Sequence, residues 1–241
     1  MVVLITGGTG SLGIELQKIF SENISPLHEE LDITNKKQIK KIFQQNKIDA
    51  VIHTAAITKV RKCEDDKQLS WRVNVQGTKN LVDEMIHSKL DINFVYVSTA
   101  CVFDGHSEMY TENSIPYPEN FYSLTKLLGE FEVNRLSNHT IIRTNFVPRK
   151  VWPYEKAFTD RFGTYLFADQ VAHGIKDVIE EKLSGIVHVV GDKKMSVFEL
   201  AKITTPNIKP MTMNDYSGPK LTIDMSLDSE RWKKYQISMP D

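Results

Sequence analysis

Tyr122-Ser123-Leu124-Thr125-Lys126 sets a phenol and an ammonium four residues apart, a spacing that puts both on one face of a helix. An ammonium beside a phenol favours the phenolate, so the phenol's pKa falls from its reference near ~10 and the pair becomes a general acid/base working near neutrality. Taken alone, the spacing is common on solvated helix faces. Two further groups give it a context. Ser98-Thr99 ends the apolar run from Ile92 to Val97, and the carboxyl ends of parallel strands are where open α/β sheets place their chemistry. A hydroxyl there can hydrogen-bond a carbonyl oxygen and help Tyr122 polarise it. Near the start, Thr6-Gly7-Gly8-Thr9-Gly10-Ser11-Leu12-Gly13 follows the short run Val2 to Ile5 and precedes a helical pattern. Strand, glycine-rich turn and helix in that order bring free backbone N–H groups and the positive end of a helix dipole to one spot, which suits a pyrophosphate.

The elements that must position these groups follow from periodicity. Short branched apolar runs alternate with segments of helical period, the mark of a parallel sheet covered by helices: a Rossmann-type, doubly wound α/β fold. Strands are expected near residues 2–5, 24–27, 48–53, 92–98, 139–143 and 186–190. Leu12, Leu16, Ile19 and Phe20 give the first helix an apolar face, and Ile39, Ile42 and Phe43 do so for a helix near 36–45. A longer helix spans roughly 69–87, and Leu124, Leu127, Leu128 and Phe131 mark another from Phe121 onward. Ser196-Val197-Phe198-Glu199 reads as a capping box opening a short helix that Pro206 ends. Residues 107–119, with Pro116 and Pro118, form a loop over the sheet. Beyond Thr144 the regularity falters at Pro148, Pro153 and the aromatics Trp152, Tyr154, Phe158, Phe162, Tyr165 and Phe167, which are expected to form mainly lobe core. The domain reading is a dinucleotide-binding Rossmann domain over 1–143. A small, abbreviated substrate lobe over 144–241 is interleaved with the last strand and helices of the first domain.

Composition narrows the function classes. Lys+Arg 30 against Asp+Glu 31 in 241 residues offers no basic field for nucleic-acid phosphates or anionic lipid, so neither nucleic acid nor membrane is expected as a partner. Cys63 and Cys101 lack CxxC spacing and read as free thiols in a reducing compartment, with no metal site. No run approaches the ~18 apolar residues of a membrane span, and the first residues do not follow a signal-peptide pattern, so a soluble, cytoplasmic protein is expected. His53, inside an apolar strand, is expected to be a satisfied core histidine.

The spacing Gly7-x-x-Gly10-x-x-Gly13 resembles that of the extended short-chain dehydrogenase/reductase family. The resemblance implies NAD or NADP as cofactor, held by Gly7, Gly10, Ser11, Leu12 and Gly13. Leu31-Asp32-Ile33 resembles the family's adenine-side Asp-Leu or Asp-Ile pair, and Ala55-Ala56-Ile57 its adenine-side alanines, so Asp32, Ile33, Ala55, Ala56 and Ile57 join the cofactor set. Tyr122 and Lys126 complete it, Lys126 donating to the ribose. The acid that holds the ribose in NAD enzymes should close the second strand near His28. Glu29 and Glu30 only follow it, so NAD against NADP stays open.

Within that family, Val97-Ser98-Thr99-Ala100-Cys101-Val102-Phe103-Asp104-Gly105 is similar to the Ser-Thr-Asp-Tyr-Val-Phe-Asp-Gly segment of dTDP-4-dehydrorhamnose reductases. Ala55 to Glu64, Val73-Asn74-Val75-Gln76-Gly77-Thr78, Tyr122 to Glu130 and Ser226-Leu227-Asp228 before a closing helix resemble the same group. The resemblance implies Thr99, Tyr122 and Lys126 as catalytic residues, with Ser98, Thr99, Ala100 and Phe146 on the substrate side. Three departures bear on the substrate. Ala100 and Cys101 replace Asp and Tyr, Phe146 replaces a tryptophan, and the lobe between Arg143 and Gly185 is short. Arg149, Lys150, Lys156 and Arg161 are candidates to neutralise a substrate diphosphate, a solvated basic face being the equal alternative. The resulting expectation is NAD(P)H-dependent reduction of the keto group of a nucleotide-activated 4-keto-6-deoxy sugar. The alternatives are a nucleotide-sugar epimerase using the same residues, or a non-catalytic regulatory subunit similar to the methionine adenosyltransferase beta subunit. A homodimer is compatible with each.

Overall fold

β1 (Val3–Thr6) is buried from end to end, with Val3 and Ile5 packed on one face of the sheet and Leu4 on the other. Successive apolar residues of this kind belong to a strand covered on both sides. The computed structural model describes residues 1–237. α1 (Ser11–Ile19), β2 (Asn23–Ile24), α2 (Lys36–Gln45) and β3 (Ala50–His53) follow β1. A helical run then comprises α3 (Val60–Asp65), α4 (Lys67–Trp71), a π-helical segment Arg72–Gly77 and α5 (Thr78–His87). β4 (Asn93–Val97), α6 (Phe121–Val133) and β5 (His139–Arg143) complete the first part. The chain next makes four short strands, β6 (Phe146–Val147), β7 (Lys156–Phe158), β8 (Phe162–Gly163) and β9 (Leu166–Phe167). α7 (Ala168–Glu180) then leads to β10 (Gly185–His188), which pairs with β5.

The main sheet has six parallel strands in the order β10-β5-β4-β3-β1-β2. The order reverses at β1, so the crevice beyond the carboxyl ends of β1 and β3 is the switch point where such sheets bind ligands. α1 and α7 cover one face through Leu12, Leu16, Val171, Ile175 and Val178. α2, α5 and α6 cover the other through Ile39, Leu81, Met85 and Val133. A third cluster joins Ala100–Phe103 to the lobe, which adds β11 (Met195–Ser196), α8 (Val197–Thr204), β12 (Lys209–Met211) and β13 (Asp224–Met225). The lobe strands pair as β11-β8-β13, β12-β7 and β6-β9. Trp152, Phe158 and Tyr165 pack in that cluster as lobe core, whereas Tyr154 is exposed.

Three expectations are corrected. β2 stops at Ile24 and not at residue 27, because Pro26 has no N–H to continue a ladder. The helix expected from 69 begins at Lys67, capped by Asp66 after the separate α3, and widens into a π turn at Arg72–Gly77. After Ser226-Leu227-Asp228 the described residues form no closing helix. Glu230 N–H is given to the Glu112 carboxylate and Tyr235 N–H to the Val190 carbonyl, which draws the chain along the end of β10. The capping box of α8 is present as expected, with Glu199 N–H donated to Ser196 Oγ at 3.1 Å and Ser196 N–H to Glu199 Oε2 at 2.7 Å.

Candidate active site

At the switch point, Gly7, Gly8 and Gly13 of the turn each answer a close approach. Gly7 has φ +74°, and a Cβ there would stand 2.7 Å from Ala55 N, which brings the ends of β1 and β3 into contact. A Cβ at Gly13 would stand 2.3 Å from the Gly7 carbonyl oxygen, so only glycine lets the first turn of α1 lie on the loop. Gly10, by contrast, is less confined: its Cβ would meet a single atom, Gly7 O, at a tight 3.2 Å. It is also the N-cap of α1, with no side chain capping it and no acid in the first turn. The N–H groups of Ser11, Leu12 and Gly13 therefore end a helix dipole beside a cradle that a side chain at Gly10 would fill. These residues fit the pyrophosphate of a dinucleotide.

The adenosine side is built from Asp32 to Ile57. Asp32 Oδ1 accepts Thr34 N–H at 2.8 Å, and Ile33 is buried against the bare Cα of Gly77. Ala55, Ala56 and Ile57 are half-buried along the crevice. The expected acid position near His28 is corrected, since β2 ends beside Ser25. The Ser25 hydroxyl is buried and lies where a Cβ of Gly8 would be, 1.8 Å away. Glu30 is used in its own turn, accepting Leu27 N–H at 2.9 Å, and no carboxylate closes β2.

Thr99, Tyr122 and Lys126 come together at the ends of β4 and α6. α6 is fixed at its start by Asn120, whose Oδ1 accepts Ser123 N–H at 3.0 Å, and by Glu64, whose Oε1 accepts Phe121 N–H at 2.7 Å. It packs directly on β4, since a Cβ at Gly129 would stand 2.1 Å from the Tyr96 hydroxyl. The Thr99 hydroxyl accepts Cys101 N–H at 3.1 Å and lies by the half-buried Tyr122 phenol, whose pKa it lowers. Lys126 is buried, with Nζ donating to the Val97 carbonyl at 2.7 Å and lying 4.0 Å from the Tyr96 ring centre. Burial pulls its pKa down to about 7, against the pull of the Glu130 carboxylate. Burial pushes the Tyr122 phenol well up, aided by Cys101 and opposed by the nearby Thr99 hydroxyl. The expected lowering of Tyr122 by Lys126 is thus not seen here, because the ammonium is turned to the Val97 carbonyl and desolvation dominates.

Two of the expected substrate-side residues face inward. Ser98 gives its hydroxyl to Glu130 Oε1 at 2.5 Å, and Ala100 is fully buried, so Thr99 alone of that trio meets Tyr122. Phe146, in β6, is half-buried against the α7 side of the sheet. On the lobe side Cys101 Sγ lies 3.3 Å from Met225 Sδ, to which Arg161 Nη2 also points at 3.1 Å. Of the four candidate cations, Arg149 is paired with Asp169 at 2.8 Å and Lys150 and Lys156 are exposed, whereas Arg161 is half-buried and shares Met225 Sδ with Cys101. His53 is a satisfied core histidine, its Nδ1 2.6 Å from Thr6 Oγ1 and its Nε2 3.0 Å from Thr78 Oγ1; burial lowers its pKa to about 3 and keeps it neutral.

Sequence reasoning missed Asn74. In the π segment its Oδ1 accepts Ile57 N–H at 2.7 Å and its Nδ2 donates to Ile57 O at 2.9 Å and Thr125 Oγ1 at 3.0 Å. It therefore ties the cofactor crevice to α6. Its signal was an amide inside the apolar pattern of a covered helix, where side-chain hydrogen bonding to backbone is the usual reason for a buried polar group.

Comparison with known proteins places the fold among described relatives. The family model described as RmlD substrate binding domain matches residues 1–150. The chain is 28% identical to methionine adenosyltransferase 2 subunit beta of Xenopus laevis, over 97% of this chain and 82% of that protein. It is 36% identical to the dTDP-4-dehydrorhamnose reductase of Aggregatibacter actinomycetemcomitans, over 58% of this chain and 49% of that protein. Among solved structures, a hypothetical dTDP-4-dehydrorhamnose reductase from Sulfolobus tokodaii superposes with TM-score 0.86 at 31% identity, covering 96% of this chain and 93% of that one. The Bacillus anthracis dTDP-4-dehydrorhamnose reductase, solved in complex with NADP, gives 0.85 at 26% identity, covering 94% and 90%.

Proposed function

The chain belongs to the RmlD substrate binding domain family, whose model covers residues 1–150 of its 241, and from that premise we propose that it reduces the keto group of a nucleotide-activated 4-keto-6-deoxy sugar with NADH or NADPH. It is an oxidoreductase of the extended short-chain dehydrogenase/reductase type. The observation that carries the reading is the meeting of Thr99 and Tyr122 at the end of β4, one helical turn from buried Lys126 and beside a sheet switch point fitted for a dinucleotide. A nicotinamide bound in that crevice supplies a hydride to the carbonyl carbon. Tyr122 gives its phenolic proton to the carbonyl oxygen. Burial keeps that phenol protonated at neutral pH, the form an acid needs. Thr99, beside the Tyr122 oxygen, lowers the phenol's pKa and so eases the loss of its proton, and the Lys126 ammonium stabilises the phenolate that results by turning to it from the Val97 carbonyl. α3, the π segment and Asn74 hold the crevice against α6, so the reacting groups are oriented before substrate arrives.

The near-full-length likeness to methionine adenosyltransferase 2 subunit beta favours a second reading, a regulatory subunit that keeps the dinucleotide crevice. The assembled catalytic trio favours the enzyme. Purified protein given reduced cofactor deuterated at the transferred position and a dTDP-4-keto-6-deoxy sugar should oxidise one cofactor per sugar and place deuterium at C4. Isomerised sugar without net oxidation would move the assignment to an epimerase. Cofactor binding without either reaction would move it to the regulatory subunit.

A further inference from the structure

Glu130 lies one helical turn beyond Lys126 and two beyond Tyr122, and it is only 2% exposed. Its carboxylate receives three donors from the ends of two strands. Arg143, the last residue of β5, gives Nε to Oε1 at 3.0 Å and Nη2 to Oε2 at 2.7 Å, and Ser98, just past β4, gives its hydroxyl to Oε1 at 2.5 Å. Arg143 is itself buried, with its guanidinium 5.1 Å from the Phe103 ring centre. A buried, bidentate ion pair is weak evidence for stability, because desolvating both charges offsets most of their attraction. What this pair does geometrically is specific. It fastens the helix that carries Tyr122 and Lys126 to the residue preceding Thr99, so one carboxylate sets the distance between the two halves of the catalytic trio.

We propose that Glu130 is a positioning residue for the reaction, clamping the Thr99 strand end to α6 through Ser98 and Arg143 and setting a carboxylate one helical turn from Lys126. The inference rests on the reductase reading of the site for its consequence in turnover, but not for its electrostatic content. The groups facing Lys126 are Glu130 and Tyr122 on its own helix, Tyr96 on β4 and neutral His53 on β3, while Cys63 and Cys101 face Tyr122 and Arg143 faces Glu130. Among these, Glu130 is the carboxylate that acts on Lys126, and its pull opposes the desolvation that brings the lysine to about 7.

The sign of the effect follows. Removing the negative charge disfavours the ammonium, so the lysine loses its proton at lower pH, and a step that needs the ammonium fails at lower pH as well. The experiment reads the 13Cε resonance of Lys126 against pH in 13C-lysine-labelled protein, assigned with Lys126→Arg, beside the pH profile of kcat. In Glu130→Gln the Lys126 titration and the basic limb of kcat should both move down by about one unit or more, the range an opposite charge at close quarters commands. At pH 7 a one-unit fall lowers kcat about fivefold. Glu130→Gln leaves Arg143 buried without its partner, so Glu130→Gln/Arg143→Gln is the companion variant, expected to fold and still to titrate below wild type. A Lys126 titration unmoved in either folded variant overturns the proposal, as does failure of both variants to fold, since that outcome describes a purely structural pair. If the reductase reading itself is wrong, wild-type protein shows no turnover while the Lys126 titration still moves.

Discussion

The cofactor end and the lobe end of this site are built in opposite ways. The cofactor end is local: Gly7 to Gly13 supply turn, cradle and helix start within one stretch, and the bare Cα of Gly7, Gly8 and Gly13 is each forced by a named neighbour. The lobe end is assembled from afar, with Cys101 against Met225 across 124 positions and Arg161 reaching both Thr222 O and Met225 Sδ. A local site depends on backbone geometry that one wrong atom destroys. An assembled site spreads its work over side chains that each contribute a little, so its residues can change, as Ala100 and Cys101 have, without loss of the fold.

The sharpest way to break that contrast is at Gly10. Its φ of −74° suits any residue and its Cβ would meet one atom, the Gly7 carbonyl oxygen at 3.2 Å, a tight contact that a shift of a few tenths of an ångström relieves, so Gly10→Trp should fold with a modest fall in Tm. The indole would fill the cradle at the start of α1 and abolish binding of NADH and NADPH, measured by calorimetry. Retained affinity in the folded variant would remove the pyrophosphate from this turn. Next in size is Tyr122→Phe, which keeps the ring but removes the proton donor. Turnover should fall by about 10²- to 10⁴-fold while the cofactor Kd stays at the wild-type value. Full activity in Tyr122→Phe would mean that another group delivers the proton.

What the sequence made legible follows the same division. The glycine turn, the Tyr122–Lys126 face and the α/β alternation are short-range patterns, and short-range patterns survive in one dimension. The side on which a side chain falls at a strand end is not such a pattern. Ser98, Thr99 and Ala100 are consecutive in the sequence, yet a difference of one residue in an extended segment reverses direction, and Ser98 turns to Glu130. The ribose position was sought near His28 because the length of β2 was overestimated; Pro26 was the available stop signal. Glu130 and Arg143 stood in plain view, but pairing them requires knowing that the end of β5 lies beside α6. The phenol's pKa could not be read from spacing either, because burial of both groups outweighs their proximity along the helix.

The smallest expected effect tests the lobe. Arg161 holds Thr222 O through Nε at 2.9 Å, which fixes its position, while Nη2 spends its hydrogen bond on the thioether of Met225 at 3.1 Å. A thioether is a weak acceptor, so that donor gains by turning to an anionic oxygen of the substrate diphosphate. Arg161→Gln should therefore raise KM for the nucleotide sugar by about tenfold, the lower end of a charge-assisted hydrogen bond, and leave kcat and cofactor affinity near wild type. Lys156→Gln, on exposed β7 of the same lobe, serves as the control and should change neither constant, because a solvated lysine that touches no ligand contributes little. Equal effects of the two substitutions would mean that the lobe attracts substrate through its overall charge and not through one placed guanidinium. Steady-state kinetics at low and high salt separates these outcomes, since a general field is screened by salt whereas a hydrogen bond in a half-buried site largely persists.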